Sequence, residues 1–511
     1  MKTISGFRTA WIALVALSFV VFLGKAYDTS LHGIDSNIHA KVSLEVTSHG
    51  FAPRLPIPDT NSNGRLGGAY FNDHPFFYFW LNGWTMRALG PSAWSSRVLT
   101  ATFSTGCVVL VFLLGMLLHS RIFGMIAALI FLFTRDIILT GASVSLDPPM
   151  MFFILLSFWL WQKDRWSAVA LCVGVGLWIK TPVVLLVFPT AVVVSLWRGG
   201  FKEDFPKICR SAAAALALGS LVWITTGFLG GWDLVRDYWT RQLWGTVVKG
   251  RNHNYETDWF MFFRMIWHGF LPGLLLLPFG VFQIFRQRLW NHPLVQISLS
   301  AIAILFLAIT PIQFRMDYYY NPVFPFLALL ASFSVCQILK SYERQFYATI
   351  SGGVPVLMSF LLCSPTSFGP ESFVALRRFA PLIQSYGKCE DSILLIPGGE
   401  PLGSAHENKL MLNFYTGRTV SVEGCESVGV ALRRQSPTWM ILSHDNYDRC
   451  LTTEEQNSFR TRFAYGNLYL LTNLIPGAGT GKIDLTPLER ELLPIVDCQA
   501  QEYPRDRYHR Y

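Results

Sequence analysis

Charge is what this sequence has least of. Asp, Glu, Lys and Arg make up 15% of its 511 residues, against roughly 25% in soluble domains. That scarcity, with 51% apolar residues and a mean hydropathy of +0.35, argues against a soluble globular chain. Other absences narrow the field. No CxxC or His-x-x-Cys cluster occurs, which removes a structural zinc site of the usual kind. The stretch PGAGTGKID at 476–484 lacks the spacing of a phosphate-cradling Walker loop. There is no internal repeat and no low-complexity segment. The first apolar run starts behind Lys2 and Arg8 and passes through Val20–Gly24 into Lys25 without a small-residue cleavage site, so it reads as an uncleaved anchor. The net charge of +9 is not gathered into one stripe. Nucleic acid is therefore not an expected partner; loop orientation and anionic lipid phosphates account for the basic residues.

What is present is a succession of apolar runs of membrane-spanning character. They cover about 8–26, 95–118, 122–134, 148–161, 166–180, 183–197, 211–229, 260–284, 294–312, 318–339 and 346–363, eleven in all. The fold class expected is a mostly α, polytopic membrane protein. The apolar stretch 76–90 is rich in Phe, Tyr and Trp and reads as an interfacial or re-entrant helix. With the N-terminus inside, Arg121, Lys163, Arg165, Arg198, Lys202 and Lys207 all fall in cytoplasmic loops. The opposite short loops receive Arg135, Lys180 and Arg315. This asymmetry puts loops 27–94 and 230–259, and everything beyond the last span, on the non-cytoplasmic side.

The division expected is a membrane domain over 1–364 and a soluble α/β domain over 365–511. In the latter, the brief apolar stretches ILLIP, TWMILSHD and LYLLTN read as strands, and Glu454–Arg462 reads as helix-like. Cys389, Cys425, Cys450 and Cys498 all lie in this tail. An even set in an oxidising compartment reads as two disulfides with three possible pairings.

Ionisable residues near membrane depth are costly and usually functional. Here they gather at one side: Asp35 and His39 after the first span, Asp73 and His74 before the aromatic stretch, Arg97 at the start of the second span, Asp147 before Pro148, Lys180 at the end of the fifth span, Arg315 with Tyr318, Tyr319 and Tyr320 at the start of the tenth, and Arg241–His253 in a long loop. Each has a plainer reading. Asp35 and Asp147 suit helix starts, His74 a turn, Arg97 and Lys180 snorkelling anchors, Arg315 a loop charge and the tyrosines an aromatic belt. Together they suit an anionic, lipid-linked substrate. Cations hold a phosphate by charge-assisted hydrogen bonds and stabilise it as a leaving group, a carboxylate serves as general base on a hydroxyl, and aromatic faces receive sugar or prenyl groups. Asp35, His39, His74 and Asp147 are also candidate ligands for a divalent metal.

These residues resemble a known pattern. Asp35-Ser36-Asn37-Ile38-His39 stands where a family shows Asp-Glu-x-x-Tyr. His74-Pro75-Phe76 leads into an aromatic helix, Trp94-Ser95-Ser96-Arg97 opens the second span, Asp147 opens the fourth, and Lys180-Thr181-Pro182 closes the fifth. Tyr319–Leu330 follows a Tyr-Tyr-x-x-Pro-x-x-Pro pattern, and NFYTGRTV at 413–420 resembles a piece of the family's external domain. The chain resembles the polyprenyl-phosphate-sugar-dependent membrane glycosyltransferases of the GT-C fold, in the branch that includes the aminoarabinose transferase for lipid A and the protein O-mannosyltransferases. Ser36 and His39 depart from the family's Glu and Tyr.

The resemblance implies a site on the outer face of a bacterial inner membrane, with the C-terminal domain periplasmic. A sugar on undecaprenyl or another polyprenyl phosphate would be gripped by Lys180, Arg315 and Tyr318–Tyr320. It would be passed with inversion to a lipid, glycan or protein acceptor, with Asp35 as the acting carboxylate and Asp147 in support. Two other classes compete: a lipid or sugar transporter, against which the lack of a repeat and of midplane polar groups argues, and an inactive membrane scaffold, which the Ser36 departure keeps open.

Overall fold

A computed structural model of the chain describes residues 2–24, 34–48, 73–180, 182–249, 260–312 and 317–363, and parts of 376–472. The long apolar runs fold as helices because each backbone group is satisfied within its own segment. In order they are α1 (Lys2–Gly24), α2 (Ile34–Ser48), α3 (Phe77–Leu89), α4 (Ser95–Leu118), α5 (Arg121–Leu132), α6 (Arg135–Gly141), α7 (Asp147–Trp161), α8 (Trp166–Leu177), α9 (Val187–Arg198), α10 (Phe201–Gly230), α11 (Trp232–Asp237), α12 (Met261–Gly269), α13 (Gly273–Arg286), α14 (Pro293–Ile309), α15 (Phe324–Ser332), α16 (Cys336–Ser341) and α17 (Glu343–Cys363).

Length and composition alone do not recover eleven full-length spans among the described residues. Three helices are long and apolar enough to cross a membrane: Gly6–Leu23 within α1, α4 and α10. Counting the bent pairs α5/α6 and α12/α13 as one span each brings the number to five. The apolar runs are interrupted. α5 and α6 meet at 69° and α12 and α13 at 108°. The Arg135 amide at the first bend donates to the Leu271 carbonyl at the second, so the two breaks satisfy each other's backbone. α7, α8, α9 and α14 have 10–17 residues, short of the roughly 20 that a bilayer core needs. The expected 318–339 span opens as a tight helical turn at Asp317–Val323 before α15 and α16. Loop 230–259 also differs, because it holds α11 and a wider helix at Tyr238–Lys249, and Tyr238 packs on Trp223 of α10 with ring centroids 4.2 Å apart.

α4 and α5 form a tight antiparallel pair. Ser120 caps α5, its hydroxyl accepting from the Phe123 amide. The helices touch through glycine: a Cβ on Gly115 would lie 2.7 Å from Gly124 Cα, and one on Gly124 would strike the Phe112 carbonyl. Close backbone approach of this kind is how helices pack where hydrophobic driving force is weak. One large core, including Phe22, Phe112, Phe131, Phe158 and Phe326, runs through the bundle. A second, smaller core joins α2, α3, the segment before α7 and the end of α8 through Ala40, Val42, Tyr78, Phe79, Val144, Leu146 and Ile179. This smaller core carries the candidate site.

In the C-terminal part, β1 (Ser392–Ile396), β2 (Val420–Val422), β3 (Thr438–Ser443), β4 (Thr461–Tyr465) and β5 (Leu468–Thr472) form a mixed sheet of order β2-β1-β3-β5-β4. β1 pairs parallel with β2 and β3, and β5 antiparallel with β3 and β4. The central strands are apolar at nearly every position because both faces are covered. Ile393, Leu395, Trp439, Ile441, Leu468 and Leu470 pack with Leu376, Phe379 and Leu412. Their neighbours Leu394, Met440, Leu442 and Leu471 pack with Val428, Tyr447 and Leu451. Of the stretch expected as helix-like over 454–462, Gln456 is helical, Thr461 and Arg462 begin β4, and the other residues lie outside those described.

Cys425 and Cys450 form a disulfide, with Cys450 ending a short helix, α18 (His444–Cys450). Cys389 and Cys498 lie outside the described residues, as do Arg315 and the 413–419 part of NFYTGRTV. Closing a loop across 25 positions is worth roughly 3–4 kcal/mol in the chain-entropy account. Cys425→Ser should therefore lower the thermal midpoint of the C-terminal part, read by scanning calorimetry of the full chain, and reductant should lower the wild-type midpoint by at least as much.

Candidate active site

The site is assembled from residues far apart in sequence. α2 begins at Ile34 and places Asp35 and His39 one helical turn apart, on the same face. Asp35 is in the first turn rather than at the cap, and it is exposed; His39 is buried. His39 Nδ1 lies 2.9 Å from the Val144 carbonyl oxygen. A carbonyl only accepts, so Nδ1 carries the proton and the neutral ring presents Nε2 as a lone pair. Burial is the main influence on this imidazole and pushes its pKa below the usual value, Asp35 and the Val144 hydrogen bond opposing it. His74 stacks edge-on against His39 with centroids 5.8 Å apart, and Phe79 lies at 5.3 Å.

Asp147 opens α7 with Pro148 and Pro149 behind it, and its amide donates to Ser145 Oγ at 3.2 Å. This short Ser-x-Asp turn, followed by proline at the helix start, fixes where the carboxylate stands. Lys180 follows the end of α8 and turns back on it: Nζ donates to Asp147 Oδ1 at 2.5 Å, the two side chains being 11% and 4% exposed. These values argue against Lys180 as a snorkelling anchor, which would carry its ammonium to water. The same ammonium lies 5.2 Å from the Tyr318 ring and 5.1 Å from the Tyr319 ring, within cation–π reach. The Tyr318 hydroxyl donates to Asp35 Oδ2 at 2.9 Å. Asp147, Lys180, Tyr318 and Asp35 thus form one connected chain.

Tyr320 turns away from it. Tyr320 is fully buried and turns into the bundle, with its ring 5.2 Å from Phe262 and its hydroxyl 3.4 Å from Thr310 Oγ1. In a helical turn this tight, consecutive side chains diverge by about a third of a revolution, so three adjacent tyrosines do not serve one ligand. Arg97 is buried in the first turn of α4, and Asp73 lies half-buried just ahead of His74. The expected metal ligands do not converge: among the described residues no group of three or more His, Cys, Asp or Glu side chains is placed to hold an ion. Asp147 is held by Lys180, while His39, with its Nδ1 proton on Val144, keeps Nε2 open.

Several supporting groups escape a reading of charged residues alone. Tyr78 Oη and Thr100 Oγ1 are 2.7 Å apart and tie α3 to α4. Asn82 Nδ2 donates to Ser43 Oγ at 3.2 Å, and Ser43 Oγ to the His39 carbonyl at 2.7 Å, which ties α3 to α2. Asn321 Nδ2 donates to Thr140 Oγ1 at 3.0 Å and anchors the tyrosine turn to α6. Only Ser145 had a local signal, its position two residues before an Asp-Pro.

Comparison with known proteins agrees with this architecture. The sequence model of the dolichyl-phosphate-mannose-protein mannosyltransferase family matches residues 73–224, a segment that holds His74, Arg97, Asp147 and Lys180. No curated protein matches the sequence. Among solved structures, ArnT from Cupriavidus metallidurans in the apo state superposes with a TM-score of 0.64 at 13% identity, over 93% of this chain and 100% of that one. The same protein bound to undecaprenyl phosphate gives 0.60 at 13% identity over the same shares. The archaeal oligosaccharyltransferase AglB from Archaeoglobus fulgidus, in complex with an inhibitory peptide and a dolichol-phosphate, gives 0.50 at 13% identity over 90% and 74%. The chain has the GT-C fold.

Proposed function

We propose that this chain, a membrane glycosyltransferase of the GT-C fold, transfers a sugar from a polyprenyl-phosphate donor to a hydroxyl-bearing acceptor at the outer face of a bacterial inner membrane. The observation that carries this reading is the buried Lys180 ammonium set between Asp147 and two tyrosine rings, with Asp35 at the other end of the same contacts.

In this reading the donor phosphate binds at Lys180. The ammonium exchanges part of its bond to Asp147 for the phosphate, and it stabilises the negative charge that grows on the bridging oxygen as the bond to the sugar breaks. The acceptor hydroxyl approaches the opposite side of the anomeric carbon. Its oxygen forms the new C1–O bond, its proton passes to Asp35, and polyprenyl phosphate leaves with the electron pair of the old bond. A single displacement inverts the anomeric centre. The step uses one base and one cation and routes nothing through a metal.

A hydroxyl acceptor is favoured over a phosphate one because the described groups at this end accept hydrogen bonds. Asp35 presents a carboxylate oxygen, and neutral His39 directs a lone pair at Nε2. A hydroxyl supplies the proton that Asp35 takes; a phosphate would meet like charge. The protein reconstituted in vesicles with a polyprenyl-phosphate sugar should glycosylate hydroxyl-bearing lipid, glycan or peptide acceptors, detected by mass spectrometry. Transfer only to a phosphate group would refute the acceptor class. Lipid translocation without turnover on any donor would refute the enzyme.

A further inference from the structure

Asp35 is an exposed carboxylate in the first turn of a helix. Packing does not hold such a side chain in one rotamer, so as a base it needs an outside group to orient it. The tyrosine turn supplies that group from a rigid platform. The turn is pinned on its far side by Tyr320 in the bundle core and by Asn321 on Thr140, and Tyr318 stacks edge-on against Tyr319 with centroids 5.3 Å apart.

We infer, resting on the reading above, that Tyr318 is a positioning residue that couples donor binding to the acting carboxylate: its hydroxyl fixes Asp35 Oδ2 at 2.9 Å while its ring lies 5.2 Å from the ammonium that receives the phosphate. The hydroxyl occupies one carboxylate oxygen and leaves Oδ1 for the acceptor proton. The donated hydrogen bond keeps the Asp35 carboxylate aimed between turnovers. The ring senses the ammonium on its face. Movement of Lys180 from Asp147 toward an arriving phosphate changes the field across the ring and the seat of the tyrosine, and the hydroxyl carries that change to Asp35. Donor occupancy and base orientation are thereby linked through one side chain.

Tyr318→Phe separates the two functions, because it keeps the ring over Lys180 and removes only the hydroxyl. It should lower kcat roughly 10-fold or more, the size of a lost hydrogen bond to a charged group, with donor KM within about a factor of two. Tyr318→Leu, which removes ring and hydroxyl together, should add a rise in donor KM. As a direct check, polyprenyl phosphate should bind Tyr318→Phe as it binds wild type, and comparable thermal midpoints should accompany the kinetics. A Tyr318→Phe variant with raised donor KM and unchanged kcat overturns the inference, since the hydroxyl would then serve the phosphate. Wild type that transfers sugar from no polyprenyl-phosphate donor overturns instead the reading on which the inference rests.

Discussion

Asp35→Asn should abolish nearly all transfer, lowering kcat by about a thousandfold, within the 10²–10⁴ range for loss of a general base. The substitution is close to isosteric, and the Tyr318 hydroxyl that donates to Asp35 Oδ2 can donate to the amide oxygen instead. Asp35 is exposed, so no buried charge is left behind and the fold should keep its thermal midpoint. Donor KM should change little, because the phosphate is held at Lys180 and not at Asp35. Initial rates over a grid of donor and acceptor concentrations, with a thermal scan of both proteins, would make the comparison. Full activity in Asp35→Asn would remove the carboxylate from the chemistry and leave the Tyr318 contact as mere packing.

Lys180→Met should fail in two ways that can be told apart. The first is stability. Asp147 is 4% exposed and depends on the Lys180 ammonium 2.5 Å away. Removing one partner of a buried pair costs on the order of 3–5 kcal/mol, because the other charge is left unpaired. The second is donor affinity. Loss of a charge-assisted hydrogen bond to phosphate, about 1.5–3 kcal/mol, corresponds to a rise of roughly 10- to 150-fold in donor KM. The double variant Lys180→Met with Asp147→Asn removes both charges and should regain most of the stability without regaining donor affinity. A double variant that recovers both would assign Lys180 to structure alone. Asp147→Asn by itself should keep or tighten donor binding, since the phosphate no longer competes with a carboxylate for the ammonium.

The two variants differ in what the sequence could anticipate. Asp147 announces itself by standing before Pro148-Pro149 at the start of an apolar run, and Lys180 by standing at the end of one. Both are costly at that depth, and cost is legible in one dimension. Their pairing is not, because 33 residues separate them and the turn after α8 decides where the ammonium goes. The tyrosine run shows the limit more sharply. Tyr318, Tyr319 and Tyr320 are alike in sequence, yet the tight turn at Asp317–Val323 sends the first two toward Lys180 and buries the third against Phe262. The candidate metal ligands show the same limit: the ligand types can be read from the sequence, but whether three of them meet cannot, and among the described residues no such group is found.

Composition and patterning by themselves determined that this is a helical membrane chain with a strand-bearing C-terminal part, and which polar residues were too costly to be idle. Hydrophobic burial is a property of individual residues and short periods, so it can be read along the chain. The breaks at 69° and 108°, and the hydrogen bonds from His39 to Val144 across 105 positions and from Tyr318 to Asp35 across 283, were decided only by the tertiary structure. Such contacts depend on direction and distance to within a fraction of an ångström, and only the packing of α2, α3, the segment before α7 and the end of α8 around one small core, with the tyrosine turn held by the larger one, supplies that.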